Sequence, residues 1–254
     1  MIAVRPEAHD EGQDAIEIAT PSATYLYHTT GGGFSSLIDA DGNDWLSYQP
    51  GGGPAGEYRG IPNLVFRRNV QANNHFHPGH DGEKASKTRI LSADTESVSI
   101  ESAVDGDRWR VRWDIDEQAA RLTVLNTDPD DPGFWFLYEG TPGGRFNPLD
   151  RCLRSDGKNL RLSKTWESTT ATINWVAFRV KRLNRSLLIT LDSDVDVPVS
   201  YYPMKPMTVF GLGRRLGSAD NLFTTAPIEI SVRLVETADR KELARIAAAG
   251  VTRG

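Results

Sequence analysis

Residues 108–116 read RWRVRWDID. Trp109, Val111, Trp113 and Ile115 take alternate positions, with Arg110, Arg112 and Asp114 between them. Side chains of an extended chain point to opposite faces in turn, so this stretch predicts an antiparallel strand with one buried and one solvated face. The pattern recurs outward from it. In PIEISVRLVE (227–236), Ile228, Ile230, Val232 and Leu234 alternate with Glu229, Ser231 and Arg233. SVSIESAV, ARLTVLN and TATINWVAFRV read likewise, whereas FWFLYEG and SLLITLD are apolar enough to be buried on both faces.

Turn signals punctuate these strands. DADGND (39–44) lies between SSLI and WLSY, and its Asp-Gly step favours the positive φ of a tight turn. It also resembles a calcium loop, without the later acidic ligand, so a hairpin turn is the expected reading. VDGDRW, TDPDDPG and RSDGKN are further turns. One helix is expected in TADRKELARIAAAG, with Thr237 as N-cap, Leu243, Ile246 and Ala247 as the apolar stripe, and Gly250 as the stop. The fold class is therefore all-β, a large antiparallel β-sandwich (supersandwich or jelly-roll-like) with a short C-terminal helix packed on a sheet edge or a neighbour. One domain over residues 1–254 is expected.

The chain has 254 residues, 39% hydrophobic and 25% charged, with six Trp, seven Tyr and nine Phe, which is ample material for a core. A net charge of −5 argues against nucleic acid or an anionic membrane as partner. The basic runs at 179–185 and 213–215 read as solvated strand faces. Cys152 is the one cysteine, which rules out an intrachain disulfide and fits a reducing compartment. The first residues lack an apolar signal core, and no stretch approaches the ~18 apolar residues of a membrane span. A cytoplasmic protein is expected, with export left open by a removed leader, and a homo-oligomer is equally left open.

Long glycine-rich segments interrupt the strands: SYQPGGGPAGEYRGIPNLVF running into NNHFHPGHDGEKASK, and YEGTPGGRFNPLDR. Ordered loops of this size are usually functional. NNHFHPGH (73–80) holds three of the five histidines. On an extended segment His75 and His77 would share a face, and the Pro-Gly turn could bring His80 round. That pattern suits a divalent metal held by His75 and His77, with His80 or Glu57 as third ligand, or imidazole acid/base chemistry, or a polar loop. In GEYRGIPN, Tyr58 could transfer a proton and Arg59 could pair with a carboxylate, or tie the loop to Glu57 or Asp81. Tyr138 and Glu139 end a very apolar strand, so Tyr138 is a candidate substrate contact and Glu139 is expected to be desolvated with a raised pKa, as a general acid requires. Glu57 and Glu139 could form a glycosidase pair. In SYYPMKPMTVFGLGRR, Tyr202, Lys205 and Arg214 suit a sugar bearing a carboxylate. The Gly-Leu-Gly there is no dinucleotide fingerprint, since the strand-turn-helix context is absent. Cys152 has no partner base and is not expected to be catalytic.

TYLYHTTGGGFSSLIDADGNDWLSYQ (24–49) resembles the opening of galactose-mutarotase-like β-sandwich proteins: a strand, glycines, a Ser-Leu strand, an acidic-Gly turn and an aromatic segment. YRGIPN, YEGTPGG and MTVFGLGR are similar to blocks in proteins of polysaccharide-degrading bacteria. The resemblance implies a sugar site on a concave sheet face, with His75, His77 or His80 as imidazole and Glu139 or Glu57 as carboxylate. Unlike the epimerases of that group, this chain places three histidines in one loop.

The expected function is a carbohydrate-active enzyme acting on a glycan or oligosaccharide by acid/base chemistry, as a lyase or glycoside hydrolase. In the lyase version a His or Tyr removes the proton beside a uronate carboxylate that Arg59 or Arg214 neutralises. In the hydrolase version Glu139 and Glu57 share the acid and base or nucleophile roles. A sugar epimerase or mutarotase is the first alternative, and a non-catalytic carbohydrate-binding protein the second.

Overall fold

The alternation around Trp113 forms a strand in which every apolar side chain is buried and every polar one half-exposed. It belongs to one of two antiparallel sheets in a computed structural model that describes residues 1–51, 59–66, 74–168, 173–204, 206–217 and 223–251. The strands are β1 (Ala3–Asp10), β2 (Gln13–Ala19), β3 (Ala23–His28), β4 (Gly33–Asp39), β5 (Gly60–Phe66), β6 (Asn74–His75), β7 (Lys87–Ala93), β8 (Ser97–Val104), β9 (Trp109–Asp116) and β10 (Ala120–Asn126). There follow β11 (Phe134–Gly140), β12 (Arg151–Arg154), β13 (Asn159–Arg161), β14 (Trp166–Ser168), β15 (Trp175–Val180), β16 (Arg185–Leu191), β17 (Val199–Met204), β18 (Met207–Leu212), β19 (Ile228–Val235) and the helix α1 (Arg240–Val251).

The first sheet runs β1-β2-β3-β4-β5-β11-β18-β17-β14, with β6 also paired to β5. The second runs β13-β12-β15-β16-β19-β10-β9-β8-β7. Their inner faces enclose a shared core in which Trp45, Trp109, Trp113, Phe34, Phe136, Tyr138 and Phe178 are almost wholly buried. Phe34 packs 4.9 Å from Tyr27 within the first sheet and 4.8 Å from Trp113 of the second, a ring contact that joins the layers. The architecture is thus a large antiparallel β-sandwich of two stacked sheets, the fold class that the strand alternation predicted.

Several local readings change. GIPNLVF is no loop but β5, a central strand, because its Gly, Pro and Asn imitate turn punctuation while Ile61 and Leu64 are core residues. DADGND is a turn whose Asp39 Oδ1 accepts from the backbone N–H of Asp41 and Asn43 at 3.0 and 2.9 Å. The segment after it makes only the bridge Ile38–Asp44 rather than a strand. Asp39 also pairs with buried Arg185 at 2.7 Å, and Arg185 reaches Glu236 at 2.7 Å, tying the end of β4 to the start of β16 and the end of β19. Helix α1 is capped by Asp239, whose Oδ1 accepts from Lys241 and Glu242 at 2.9 and 3.0 Å, while Thr237 accepts from Asp239 instead. The helix runs on past Gly250 to Val251. Leu243, Ile246 and Ala247 pack on Leu153, Ala177 and Leu188, so α1 covers the outer face of the second sheet, not an edge. That cover explains why Arg233 of β19, which donates to Ile246 O, is buried where alternation predicts exposure, while Ser231 is buried against Asp192.

Candidate functional site

Strand β11 is buried on both faces, and its parity sorts two neighbours that look equivalent in sequence. Phe134, Phe136 and Tyr138 point into the core between the sheets. Trp135 and Leu137 point the other way, in an outer cluster with Met207 and Val209, and Glu139 shares their parity. Register extends this face across strands. Glu139 lies beside Val209, which lies beside Tyr202, and Leu137 lies between Asn63 and Gly211.

Glu139 is the chemical centre of the face. It is 4% exposed, and Asn63 Nδ2 donates to its Oε2 at 2.7 Å. Burial pushes its carboxyl up to about 7, against the opposing pull of the Asn63 hydrogen bond and the Arg214 charge. Asn63 Oδ1 in turn accepts from Asn74 Nδ2 at 2.8 Å, and Asn74 Oδ1 accepts from Lys84 Nζ at 2.9 Å. A chain of side-chain amides thus links the carboxyl to an ammonium that burial holds below its ordinary pKa. A carboxyl with its midpoint near neutrality can both donate and accept a proton at pH 7.

Arg214 lies across the same face, its Cζ 4.9 Å from the Tyr202 ring and 5.4 Å from the Trp135 ring. Gly211 makes room for it, since a Cβ there would stand 3.0 Å from both Cβ and Cδ of Arg214. Arg214 Nη1 and Trp135 Nε1 are buried and have no hydrogen-bond partner among the described residues.

Other expected site residues fall elsewhere. Tyr138 is a core residue, its hydroxyl donating to Trp45 O at 2.9 Å and its ring against Phe178, so a substrate role is corrected by strand parity. The histidines do not form one cluster on an extended strand. Strand β6 ends at His75, and Phe76 adopts φ 57°, which breaks the geometry that would hold His75 and His77 on one face. His75 is opposite Leu64, stacked 4.4 Å from Phe66 and 5.4 Å from Trp109, and burial pushes it down to about 4. It is a neutral member of an aromatic layer. His77 is buried beside Tyr48 at 6.2 Å and His80 at 5.4 Å. Burial, then His77, Lys84 and His75, hold His80 well below the usual imidazole range. Gly79, with φ 82°, is needed here because the Tyr48 hydroxyl lies 1.9 Å from where its Cβ would be. Among the described residues no three His, Cys, Asp or Glu side chains are grouped as metal ligands.

Arg59 is buried and donates to Ser47 O at 3.0 Å beside Asp44, which makes it a tether between loops. Glu57, Tyr58 and Lys205 lie outside the described residues. Sequence reasoning missed Asn63, Asn74, Lys84 and Trp135. It also missed His28, 1% exposed, 3.8 Å from Asp10 and edge-on to Tyr48 at 5.3 Å. Alternation in NLVF could have placed Asn63 beside β11, had GIPN not read as a turn.

Neither a family model nor a curated protein matches the sequence. Solved structures do match in fold. The HI1317 protein superposes with a TM-score of 0.60 at 12% identity, covering 92% of this chain and 100% of that one. A putative aldose 1-epimerase from Escherichia coli K12 gives 0.53 at 10% identity, covering 92% and 99%. A galactose mutarotase-like protein from Lactobacillus casei gives 0.53 at 12% identity, covering 87% and 100%. At these identities the likeness shows the fold.

Proposed function

We propose that this chain is a carbohydrate-active enzyme whose acid/base group is Glu139, and that the reaction best supported is interconversion of the anomers of a free sugar. The observation that carries the reading is a buried carboxyl with its midpoint near 7 on the outer face of the first sheet, flanked by Asn63, Arg214 and aromatic rings. Apolar sugar faces stack on such rings, and the cation and amides suit hydroxyl groups. The aldose 1-epimerase and galactose mutarotase-like proteins that share the fold support the same reaction class by analogy.

Anomerisation opens and recloses the sugar ring. The anomeric hydroxyl gives up its proton, the ring oxygen takes one, and the bond between the anomeric carbon and the ring oxygen breaks to leave an aldehyde. Rotation and the reverse steps give the other anomer, with no net redox change. Asn63 fixes one carboxyl oxygen of Glu139, leaving Oε1 for the proton. A group that must both give and take protons works best with its midpoint at the operating pH.

Lyase or hydrolase chemistry, the reading that sequence favours, needs a further base or carboxylate across the sugar; of its candidates Glu57 and Tyr58 lie outside the described residues, and among the histidines His75 is packed against Phe66 and Trp109. The common core of the two sheets supports residues 1–254 as one domain. The test is exchange NMR of free aldoses and uronates, alongside oligosaccharide hydrolysis and unsaturated-product assays. Faster anomer exchange, lost in Glu139→Gln, is expected. Bond cleavage without anomer exchange would install the lyase or hydrolase, and binding without turnover the non-catalytic module.

A further inference from the structure

Two hydrogen-bond donors on the outer face of the first sheet have no partner among the described residues. Arg214 Nη1 and Trp135 Nε1 are both buried, and neither has an acceptor among the described residues. A guanidinium cannot shed its proton, so a buried, unpaired N–H on it is costly, and such groups are ordinarily met by an anion. Glu139 does not fill that role. Its Oε2 is taken by Asn63, it is half-protonated near neutrality, and Arg214 acts on it through charge with no ion pair between them among the described residues.

The arrangement holds the cation in place. Gly211 supplies a slot that any side chain would fill, and the rings of Tyr202 and Trp135 flank the guanidinium at 4.9 and 5.4 Å. Leu137, Val209 and Met207 beneath are buried and apolar. In such surroundings an ion pair is much stronger than in water, and so is the penalty for any charge left over.

We infer that the sugar this face binds carries a carboxylate, and that Arg214, seated over Gly211 between Trp135 and Tyr202, is the group that pairs with it. This rests on the reading of the outer face as the sugar site. A planar monoanion matches one planar guanidinium fork, with the Trp135 indole as an additional donor. A phosphate dianion would bring a second charge that nothing described on this apolar patch compensates. Arg214 is therefore a specificity residue, and Glu139, on the same face, is the group that would handle the proton.

The experiment is calorimetric titration of the full chain with D-glucuronate, D-galacturonate, D-glucose, D-galactose and D-glucose 6-phosphate. The wild type, Arg214→Gln, Arg214→Lys and Glu139→Gln are compared. One uronate should bind about 10- to 100-fold tighter than its neutral counterpart, the range of a charged hydrogen-bonded pair. Arg214→Gln should erase that preference, and Arg214→Lys, which keeps the charge but loses the fork, should keep part of it. Glu139→Gln should retain the preference while abolishing anomer exchange, so the two roles fail separately. Equal affinity for acidic and neutral sugars, an unchanged preference in Arg214→Gln, tighter binding of the sugar phosphate, or no binding of any sugar would overturn the inference. Exchange of neutral aldoses lost in Glu139→Gln would still leave the acid/base reading standing in the first three cases, whereas a protein that binds no sugar would overturn both.

Discussion

Replacing Glu139 by glutamine keeps the shape and the acceptor that Asn63 uses, and removes only the ionisable proton. The folded protein holds this carboxyl at about 7 against an ordinary 4.5. Its charged form is therefore disfavoured in the folded state, and the unfolded chain releases the proton first. Stability from this site is fully present below the ordinary value and is lost as pH rises from about 4.5 to about 7. At about 1.4 kcal/mol per pH unit, the cost to the wild type above pH 8 is about 3 kcal/mol. Glu139→Gln escapes it. The variant should exceed the wild type by about 3 kcal/mol at pH 8.5, and by about half a kcal/mol at pH 4.5. For a chain of this length that corresponds to about 6–12 °C in Tm at the higher pH. Urea unfolding at both pH values, with the slope m checked for constancy, measures it. A variant less stable than the wild type at both pH values, or a gain that does not change with pH, would refute the reasoning. A gain in stability together with loss of turnover is the signature of a residue strained for function.

Three further outcomes follow from the structure. His75→Phe keeps the stack on Phe66 and removes a ring that burial holds at about 4. The wild type loses stability as pH falls from about 6.5 to about 4, so thermal scans should show the variant pulling ahead by about 3 kcal/mol near pH 4 and by little at pH 8. Arg185→Met leaves the buried Asp39 carboxylate without its cation, and denaturant titration at pH 7 should show a loss of about 3–5 kcal/mol. Gly211→Ala places a Cβ 3.0 Å from Arg214, so uronate affinity measured by calorimetry should fall about tenfold while the fold is kept.

Much of the architecture is legible in the sequence because half-buried strands write their own period. Trp109 to Ile115 alternate in sequence and in burial alike. The reading fails where both faces of an element are covered. In β11 every residue is buried, so periodicity cannot tell Tyr138, in the core, from Glu139, on the outer face. Strand β5 hides behind Gly60, Pro62 and Asn63, which are turn residues by composition, and with it hides the partner of Glu139. Glu139 itself is legible, since a carboxylate ending an apolar strand is bound to be desolvated. The histidines mislead for a local reason. The H-x-H spacing implies a shared face only on an extended backbone, and a positive φ at Phe76 breaks that geometry. Arg214 reads as a basic residue after a Gly-Leu-Gly turn, and nothing in that string reveals the slot that Gly211 opens for it.

The direct test is a carbon-13 titration of the glutamate carboxyls, with Glu139→Gln to assign the resonance, in the absence and presence of the preferred sugar. One carboxyl should titrate near 7, vanish in the variant, and move when sugar binds, upward if the sugar is a uronate. A Glu139 resonance that titrates in the ordinary carboxylate range, or one that no sugar displaces, would contradict its role as the acid/base group of a sugar site.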